Sequence, residues 1–350
     1  MATRRDLDGP GRADESPAQI VQLNALVVMQ IIKQCEELRS LGEHAEGYLC
    51  GLLEAERLEI TYAYPSLRGE TTDQEADDYS DEMNRRLRQQ GIDNMVVGWY
   101  KSAVFGSFLN REVFEAQYAY QSAVEESVVL IYDPVRTSQG LLTLKAYRLG
   151  PEIMNIVKKD GLEFSMESVR QAKINVETLF QEIPIRIKNS HFVNAMLSEL
   201  EVIAPSPNKR PFLDLSTSNI LEKNVGLLLE GVDHLLSENA KLTNHQKRIQ
   251  RLQSDRIRIV QRKNAQRQAK GEPLLTEDEI NQMFPRPFPD SPRADIVLTA
   301  AQVSQYCDKI GQFSAQSLSK MQMAEALQGK LKDSSAAFVS AIHKEVQPNQ

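Results

Sequence analysis

The chain has 350 residues, 41% of them hydrophobic and 25% charged, and a net charge of −7. That length suits one large domain with a helical extension, or two domains. The overall acidity excludes a nucleic-acid binder of uniformly basic surface, and no run of about 18 apolar residues offers a membrane-spanning helix.

Residues 1–18 mix Arg4, Arg5 and Arg12 with Asp6, Asp8, Asp14 and Glu15 and lack an apolar stretch. They read as a disordered tail, neither a secretory signal nor a transit peptide. Residues 19–204 read as a mixed α/β domain. Val21, Leu23, Leu26, Val27, Ile31 and Ile32 predict a strand or turn leading into a helix. Cys50–Pro65 predicts paired strands around a turn at Glu54–Glu56, with Leu58–Tyr64 alternating and rich in strand formers. Ser66–Asp81, with Glu70, Asp73, Glu75, Asp77, Asp78 and Asp81, reads as a solvated acidic loop. Asn94–Tyr100 predicts a buried strand and Arg111–Val124 a helix. Ser127-Val-Val-Leu-Ile-Tyr132 fits a central strand covered on both faces. Gly140 supplies a turn before the alternating run Leu142–Leu149. Ser165–Gln181 and Asn189–Glu201 read as helices separated by the extended run Ile183–Ile187.

Pro205, Pro207 and Pro211 mark a break. Residues 205–270 then read as a linker and one long helix from Ser218 to Lys270. Its apolar positions Leu221, Val225, Leu228, Val232, Leu235, Leu242 and Ile249 alternate spacings of four and three, a heptad seam that seeks a partner helix. Residues 271–293, with Pro273, Pro285, Pro287 and Pro289, read as a semi-extended linker. Residues 294–332 predict a last helix with the stripe Ile296, Ala300, Val303, Cys307, Ile310, Met321 and Ala324, and 333–350 a tail. Two helices alone do not cover both faces of such stripes, so a bundle completed by other chains is expected, with Leu221, Val225, Leu228, Val232, Leu235, Leu242, Ile249, Val303, Ile310 and Met321 as its contacts.

Three widely spaced cysteines, Cys35, Cys50 and Cys307, show no CxxC pairing and read as buried, free thiols of a reducing compartment. His191, His234, His245 and His343 show no short-range ligand spacing, and His44 with Cys50 is too sparse a pair for a metal. No Gly-x-Ser-x-Gly element and no phosphate-binding glycine loop occurs. The chemistry is decided by Val96-Val-Gly-Trp-Tyr-Lys-Ser-Ala-Val-Phe-Gly-Ser-Phe-Leu109.

That segment resembles the signature of the MPN family. Its active members, the JAMM metalloproteases that cleave ubiquitin-like modifiers, carry Gly-Trp-Tyr/Phe-His-Ser-His-Pro and then Ser-x-x-Asp. Two His and the Asp hold zinc, and a Glu near the domain start activates the metal-bound water. Gly98, Trp99, Tyr100 and Ser102 match that frame. Lys101 stands at the first His position, where an ammonium repels a cation. Ala103 stands at the second, Val104 replaces the Pro, and the Ser and Asp positions fall at or beside Asn110 and Val113. Ala45-Glu-Gly-Tyr-Leu-Cys-Gly51 resembles the early family motif and puts His44 at the catalytic Glu position, with Glu43 beside it. The resemblance therefore implies an MPN fold with no zinc, no cofactor and no hydrolysis.

Glu125–Gly140 with Leu144–Leu149 resembles the MPN strand pair and its Asp-Pro turn, in a form similar to the h subunits of eukaryotic translation initiation factor 3. Ile185-Arg-Ile-Lys-Asn-Ser-His191 and Gln302–Leu327 resemble that family too, so the likeness spans residues 20–328. It implies a curved mixed sheet flanked by helices (an α/β or α+β domain), then long C-terminal helices joining a helical bundle. It implies a cytoplasmic, non-catalytic structural subunit supporting assembly of the factor and its action on the small ribosomal subunit. Its implied partners are the f subunit, itself an MPN protein, through MPN–MPN pairing, and PCI subunits through the bundle. Two alternatives stand beside this: an inactive MPN scaffold of the proteasome lid or signalosome, and a metal-dependent deubiquitinating isopeptidase with substituted ligands.

One segment is anomalous on an acidic chain. Lys247, Arg248, Arg251, Arg256, Arg258, Arg262, Lys263, Arg267 and Lys270 face only Asp255, a local charge of +8. They suit contact with RNA phosphates, without aromatic interleaving for base stacking. The other reading is a solvated helix facing acidic partner subunits.

Overall fold

A computed structural model describes residues 19–39, 42–54, 56–67, 72–138, 142–161, 164, 166–171, 179–203, 218–270 and 293–345. The N-terminal tail, the Pro205–Pro211 break, the Gly140 turn and the 271–292 linker expected from the sequence lie outside them.

The sheet runs β1 (Ile20–Leu23), β2 (Glu46–Glu54), β3 (Arg57–Pro65), β4 (Val96–Ser102), β5 (Val128–Tyr132), β6 (Leu144–Leu149), β7 (Phe180–Ile183) and β8 (Ile185–Ile187). Its order is β7-β6-β5-β4-β2-β3-β1-β8, parallel at β4–β5, β1–β3 and β1–β8. The two edge strands are consecutive in sequence, separated by Pro184 alone. One extended run thus pairs with β6 through its first half and β1 through its second, wrapping the sheet toward a closed barrel. Pro184 has no N–H to lend, but its carbonyl accepts from Val21 N at 3.0 Å.

The central strand β5 is buried on both sides, as its unbroken apolar run predicts: all five of its residues are buried. On one side α1 (Ala25–Arg39) packs Val27, Val28, Ile31 and Cys35 against Leu49, Ile60, Leu130 and Tyr132. On the other, α3 (Arg111–Ala123) and α5 (Pro151–Asp160) cover Trp99, Val129, Ile131 and Leu149. Short helices α4 (Pro134–Ser138) and α6 (Met166–Gln171) connect strands, and α7 (His191–Ile203) follows the sheet. Asn189, just before α7, accepts from Ala25 N at 2.8 Å and so ties the end of the domain to its first helix. Two long helices complete the chain, α8 (Ser218–Lys270) and α9 (Ala294–Glu345). This is the mixed sheet with flanking helices and long C-terminal helices read from the sequence. No helix of the described residues is long and apolar enough to cross a membrane.

Three local expectations need correction. The acidic stretch read as a loop is in large part a helix, α2 (Asp73–Gln89). Thr72 accepts from Glu75 N while the Glu75 carboxylate accepts from Thr72 N, a capping box. The acids near its N-terminus complement the helix dipole, and Leu87 is its buried anchor beside Cys50 and Tyr64. Phe180 and Gln181, read as the end of a helix, instead pair with Leu149 and Arg148 in β7. Burial of the Phe180 ring against Phe108, Phe114 and Tyr147 outweighs local helix preference there. The last helix continues to Glu345 instead of ending near Leu331.

Gly98 explains one letter of the Gly-Trp-Tyr motif. A Cβ at this position would lie 2.2 Å from the Val128 carbonyl oxygen of the adjacent strand. Gly98→Ala must therefore force β4 and β5 apart. The expected cost is about 4 kcal/mol or more, read as loss of soluble protein or a large drop in melting temperature.

Burial also pushes the Cys35 and Cys50 thiols up to about 12, while Cys307, expected to be buried, is exposed on the long C-terminal helix. A native chain is expected to titrate one thiol with Ellman's reagent and an unfolded chain three. Above about pH 9 the unfolded state sheds thiol protons that the folded state keeps. Stability should therefore fall as pH rises from 9 toward 12, and Cys35→Ala should flatten that slope.

Candidate functional site

The Gly-Trp-Tyr strand β4 lies between β2 and β5, and its side chains are fixed from three directions. The Trp99 indole N–H donates to Gln117 Oε1 at 2.9 Å. Gln117 donates to the Ser127 carbonyl, and Gln121, one turn on, bonds both main-chain groups of Leu149. This amide chain is buried and ties β4, α3 and β6 together. Tyr100 OH donates to the Gln34 side chain of α1. Ser102 Oγ accepts from Ala45 N at 2.7 Å, and Ser102 N donates to the Ala45 carbonyl. The matching positions of the motif therefore serve as structural pinning.

Lys101 is the polar side chain that remains. Its ammonium lies 2.5 Å from Glu46 Oε1 on the neighbouring strand, with the lysine side chain 15% exposed and the glutamate 45%. The two residues are register partners across β2 and β4. Ala103 is buried. Asn110 is the N-cap of α3, accepting from Val113 N at 3.0 Å, and Val113 is buried in the core. His44 is exposed. Among the described residues no group of three or more His, Cys, Asp or Glu side chains is placed to hold a metal ion.

The loop between Ser102 and α3 carries backbone strain. Phe105 sits at φ 57° and Gly106 at φ 76°; an aromatic residue in the left-handed region costs on the order of 1 kcal/mol or more. Helix α9 holds it there. Gln302 donates to the Gly106 carbonyl at 2.9 Å and accepts from Leu109 N at 2.8 Å, stapling both ends of the loop with one side chain. Tyr306 is buried beside it, its hydroxyl bonded to Ser107 and Gln302. Arg111 reaches Asp295, and Arg136 reaches Gln312. Lys309 is buried over Gly106, its Cε 3.4 Å from where a Cβ would be. Desolvation lowers the Lys309 amine to about 8, against the pull of Asp133, whose own carboxyl is raised by burial.

Sequence reasoning misses this dock. The side of α9 on the domain is Ala294, Leu298, Ala301, Gln302, Tyr306, Lys309 and Phe313. Its helical spacing is visible in the sequence, but Gln302 and Lys309 disguise it as a polar face. Of the stripe read from the sequence, Val303 packs near Gly231 of α8, Ile296, Ala300 and Ile310 are half-buried, and Cys307 and Met321 are exposed.

Helices α8 and α9 run antiparallel. Asn224 lies near Lys309 and Phe313, Gly231 near Val303 and Tyr306, and His234 Nδ1 is 3.2 Å from Thr299 Oγ1. The heptad positions of α8 split between two faces. Leu221 and Val225 are exposed beside Leu229 and Leu236. Leu228, Val232, Leu235, Leu242 and Ile249 are half-buried. The cause is geometric: a seven-residue repeat drifts about 20° per heptad on a straight helix, so the predicted seam winds from the outer to the inner side. Of the nine cations, Lys247, Arg248, Arg251, Arg258, Arg262 and Lys263 are exposed, and Arg256 and Arg267 are half-buried; Lys270 ends the helix.

Replacing Gln302 by Ala strands the Gly106 carbonyl at a buried contact and the Leu109 N–H at a half-buried one. Each orphan costs about 1–3 kcal/mol. The melting temperature of Gln302→Ala should fall by several degrees, and hydrogen exchange should show the Leu109 amide opening faster than β5 amides.

Two family models match the chain. One, described as the JAB1/Mov34/MPN/PAD-1 ubiquitin protease family, covers residues 16–126, and one described as the C-terminal region of eIF3h covers 137–333. The H-B subunit of eukaryotic translation initiation factor 3 from Danio rerio is 42% identical over 334 residues, 94% of this chain and 99% of that protein. The H subunit of the factor from Nematostella vectensis is 45% identical over 317 residues, 89% of this chain and 95% of that protein. The H subunit from Xenopus laevis is 41% identical over 333 residues, covering 94% and 99%. With an MPN-type sheet domain and matching C-terminal helices over nearly its whole length, the chain belongs to the H-subunit family of eukaryotic translation initiation factor 3.

Proposed function

We propose that the chain is a non-catalytic structural subunit of eukaryotic translation initiation factor 3, held by other subunits and acting with them on the small ribosomal subunit in the cytoplasm. The observation that carries the non-catalytic reading is the Lys101–Glu46 ion pair. Where a zinc hydrolase of this frame needs a neutral nitrogen donor, this chain has an ammonium that is already neutralised by the neighbouring strand. Ala103 offers no donor atom, Asn110 is committed to capping α3, and Val113 to the core. The isopeptidase reading lacks any support of this kind.

The scaffold reading draws on the exposed apolar side chains of the helices. Leu221, Val225, Leu229 and Leu236 fall within about 80° of one another on α8 at 100° per residue. Leu318, Met321, Met323 and Leu327 are exposed on the far half of α9. Such stripes suit further helices of a bundle, which we assign to PCI subunits. The MPN-type f subunit is assigned to the sheet domain. An inactive scaffold of the proteasome lid or signalosome would share these surfaces; membership of the H-subunit family favours the initiation factor.

Affinity capture of the tagged chain from cell extract should recover initiation factor 3 subunits together with small-subunit ribosomal proteins. Leu229→Glu with Leu236→Glu, both solvent-exposed in the isolated chain, should leave its folding intact and cut recovery of the helical partners at least tenfold. Recovery of proteasome-lid chains instead would reassign the assembly. Stoichiometric zinc in the purified protein, with turnover of di-ubiquitin, would sink the non-catalytic reading.

A further inference from the structure

Helix α8 outruns its partner. The antiparallel contacts pair Asn224 with the Lys309–Phe313 region and His234 with Thr299, and α9 begins at Ala294. Beyond about Glu238, α8 passes the start of α9 and continues to Lys270. The +8 segment lies wholly on this extension.

Its cations are not spread evenly round the helix. At 100° per residue, Lys247, Arg251, Arg258 and Arg262 fall within about 60° of one another, with Arg248 at the margin. All five are exposed. Ile249, Arg256, Val260, Asn264 and Arg267, the half-buried positions, are centred roughly opposite. The outward stripe covers about 22 Å of helix. Among the described residues none of its four central cations is in an ion pair.

The character of the stripe separates two kinds of anionic partner. Between the cations, the same face carries Ser254, with Asp255 at its margin beside Arg248, and no large apolar residue. The buried centre of a protein–protein interface is depleted of charge; here the centre is charged, and the apolar residues Leu252, Ile257 and Ile259 lie to the sides. Nucleic-acid interfaces are polar, arginine-rich and strongly positive, and guanidinium groups bind phosphate through paired N–H donors. The absence of aromatics removes base stacking and leaves the backbone as the ligand.

We propose that the outward stripe Lys247, Arg251, Arg258 and Arg262 of α8 binds the phosphate backbone of RNA, without reading sequence. This stands on the extension's own geometry and does not rest on the scaffold reading.

The test uses the full-length chain and a fluorescent 20-base-pair RNA duplex, titrated from 50 to 200 mM KCl. The variant K247Q/R251Q/R258Q/R262Q keeps good helix formers at exposed positions, and circular dichroism verifies its helix content. It should bind at least tenfold more weakly at 50 mM salt, with a salt slope shallower by about 3. K33Q/K158Q/K159Q/K188Q, with the same charge change on the sheet domain, should retain the parental affinity and slope. R251K/R258K/R262K should recover most binding, because charge dominates. Two unrelated duplex sequences should bind alike. Equal weakening by both glutamine sets would reduce the effect to net charge and overturn the proposal. So would poly-glutamate competing as well as RNA at equal charge, which would mark an acidic protein as the partner.

Discussion

Among the contacts that join the two halves of this chain, one side chain satisfies two backbone groups. Gln302 of α9 satisfies the Gly106 carbonyl, at a buried contact, and the Leu109 amide, at a half-buried one. The ion pair beside it, Arg111–Asp295, has both side chains more than 40% exposed, and such pairs contribute about 0–1 kcal/mol. The amide outranks it because its loss leaves two backbone groups unpaired. The strained Phe105 conformation persists under this staple. Because α8 packs on α9, the direction of both helices relative to the sheet follows from the dock of α9 on the domain. A 53-residue helix spans about 80 Å, so a small tilt at its base becomes a large displacement at its far end.

The Lys101–Glu46 pair adds little to the stability of the loop after β4, being part exposed to solvent and screened by salt. The loop after β4 instead depends on protein groups from several directions: Ser102 to Ala45, Ala103 N to the Tyr132 carbonyl, Asn110 to α3, and Gln302 to the two loop ends. The Trp99–Gln117–Gln121 amide chain fixes the strand below. Each group satisfied in this network is worth more kept than its net contribution suggests, since burial makes any vacancy costly.

What is legible in the sequence follows from which signals are local. The β5 run and both long helices can be read directly, because an unbroken apolar stretch and sustained helical spacing each point to one structure. Helix α2 escapes although Thr72 and Glu75 stand at capping-box spacing, because the charge density around them outweighs that signal. Phe180 reads as helical because its partners, Phe108, Phe114 and Tyr147, are remote in sequence. The docking face of α9 is hidden because its central residues are a glutamine and a lysine whose partners are backbone groups and a buried aspartate neighbourhood. Polar residues that become buried through tertiary contact carry no hydropathy signal at all. The closing of the sheet by β7 and β8 is equally invisible, since Ile183–Ile187 reads as one short extended run whichever strands it meets.

Charge distribution ties the two long helices to the question of partners. The chain is −7 overall while residues 247–270 carry +8, leaving −15 on the rest. A flexible basic tail of that charge would collapse onto its own acidic body. A helix that has outrun its partner is held away from such contact by backbone hydrogen bonds, and its cations stay displayed on one side. The apolar residues at the other end of α8, Leu221, Val225, Leu229 and Leu236, are displayed in the same manner. One rigid element therefore offers an apolar surface next to the domain and a cationic one far from it. Because a single helix fixes both, a neighbour seated on the first constrains where the second points.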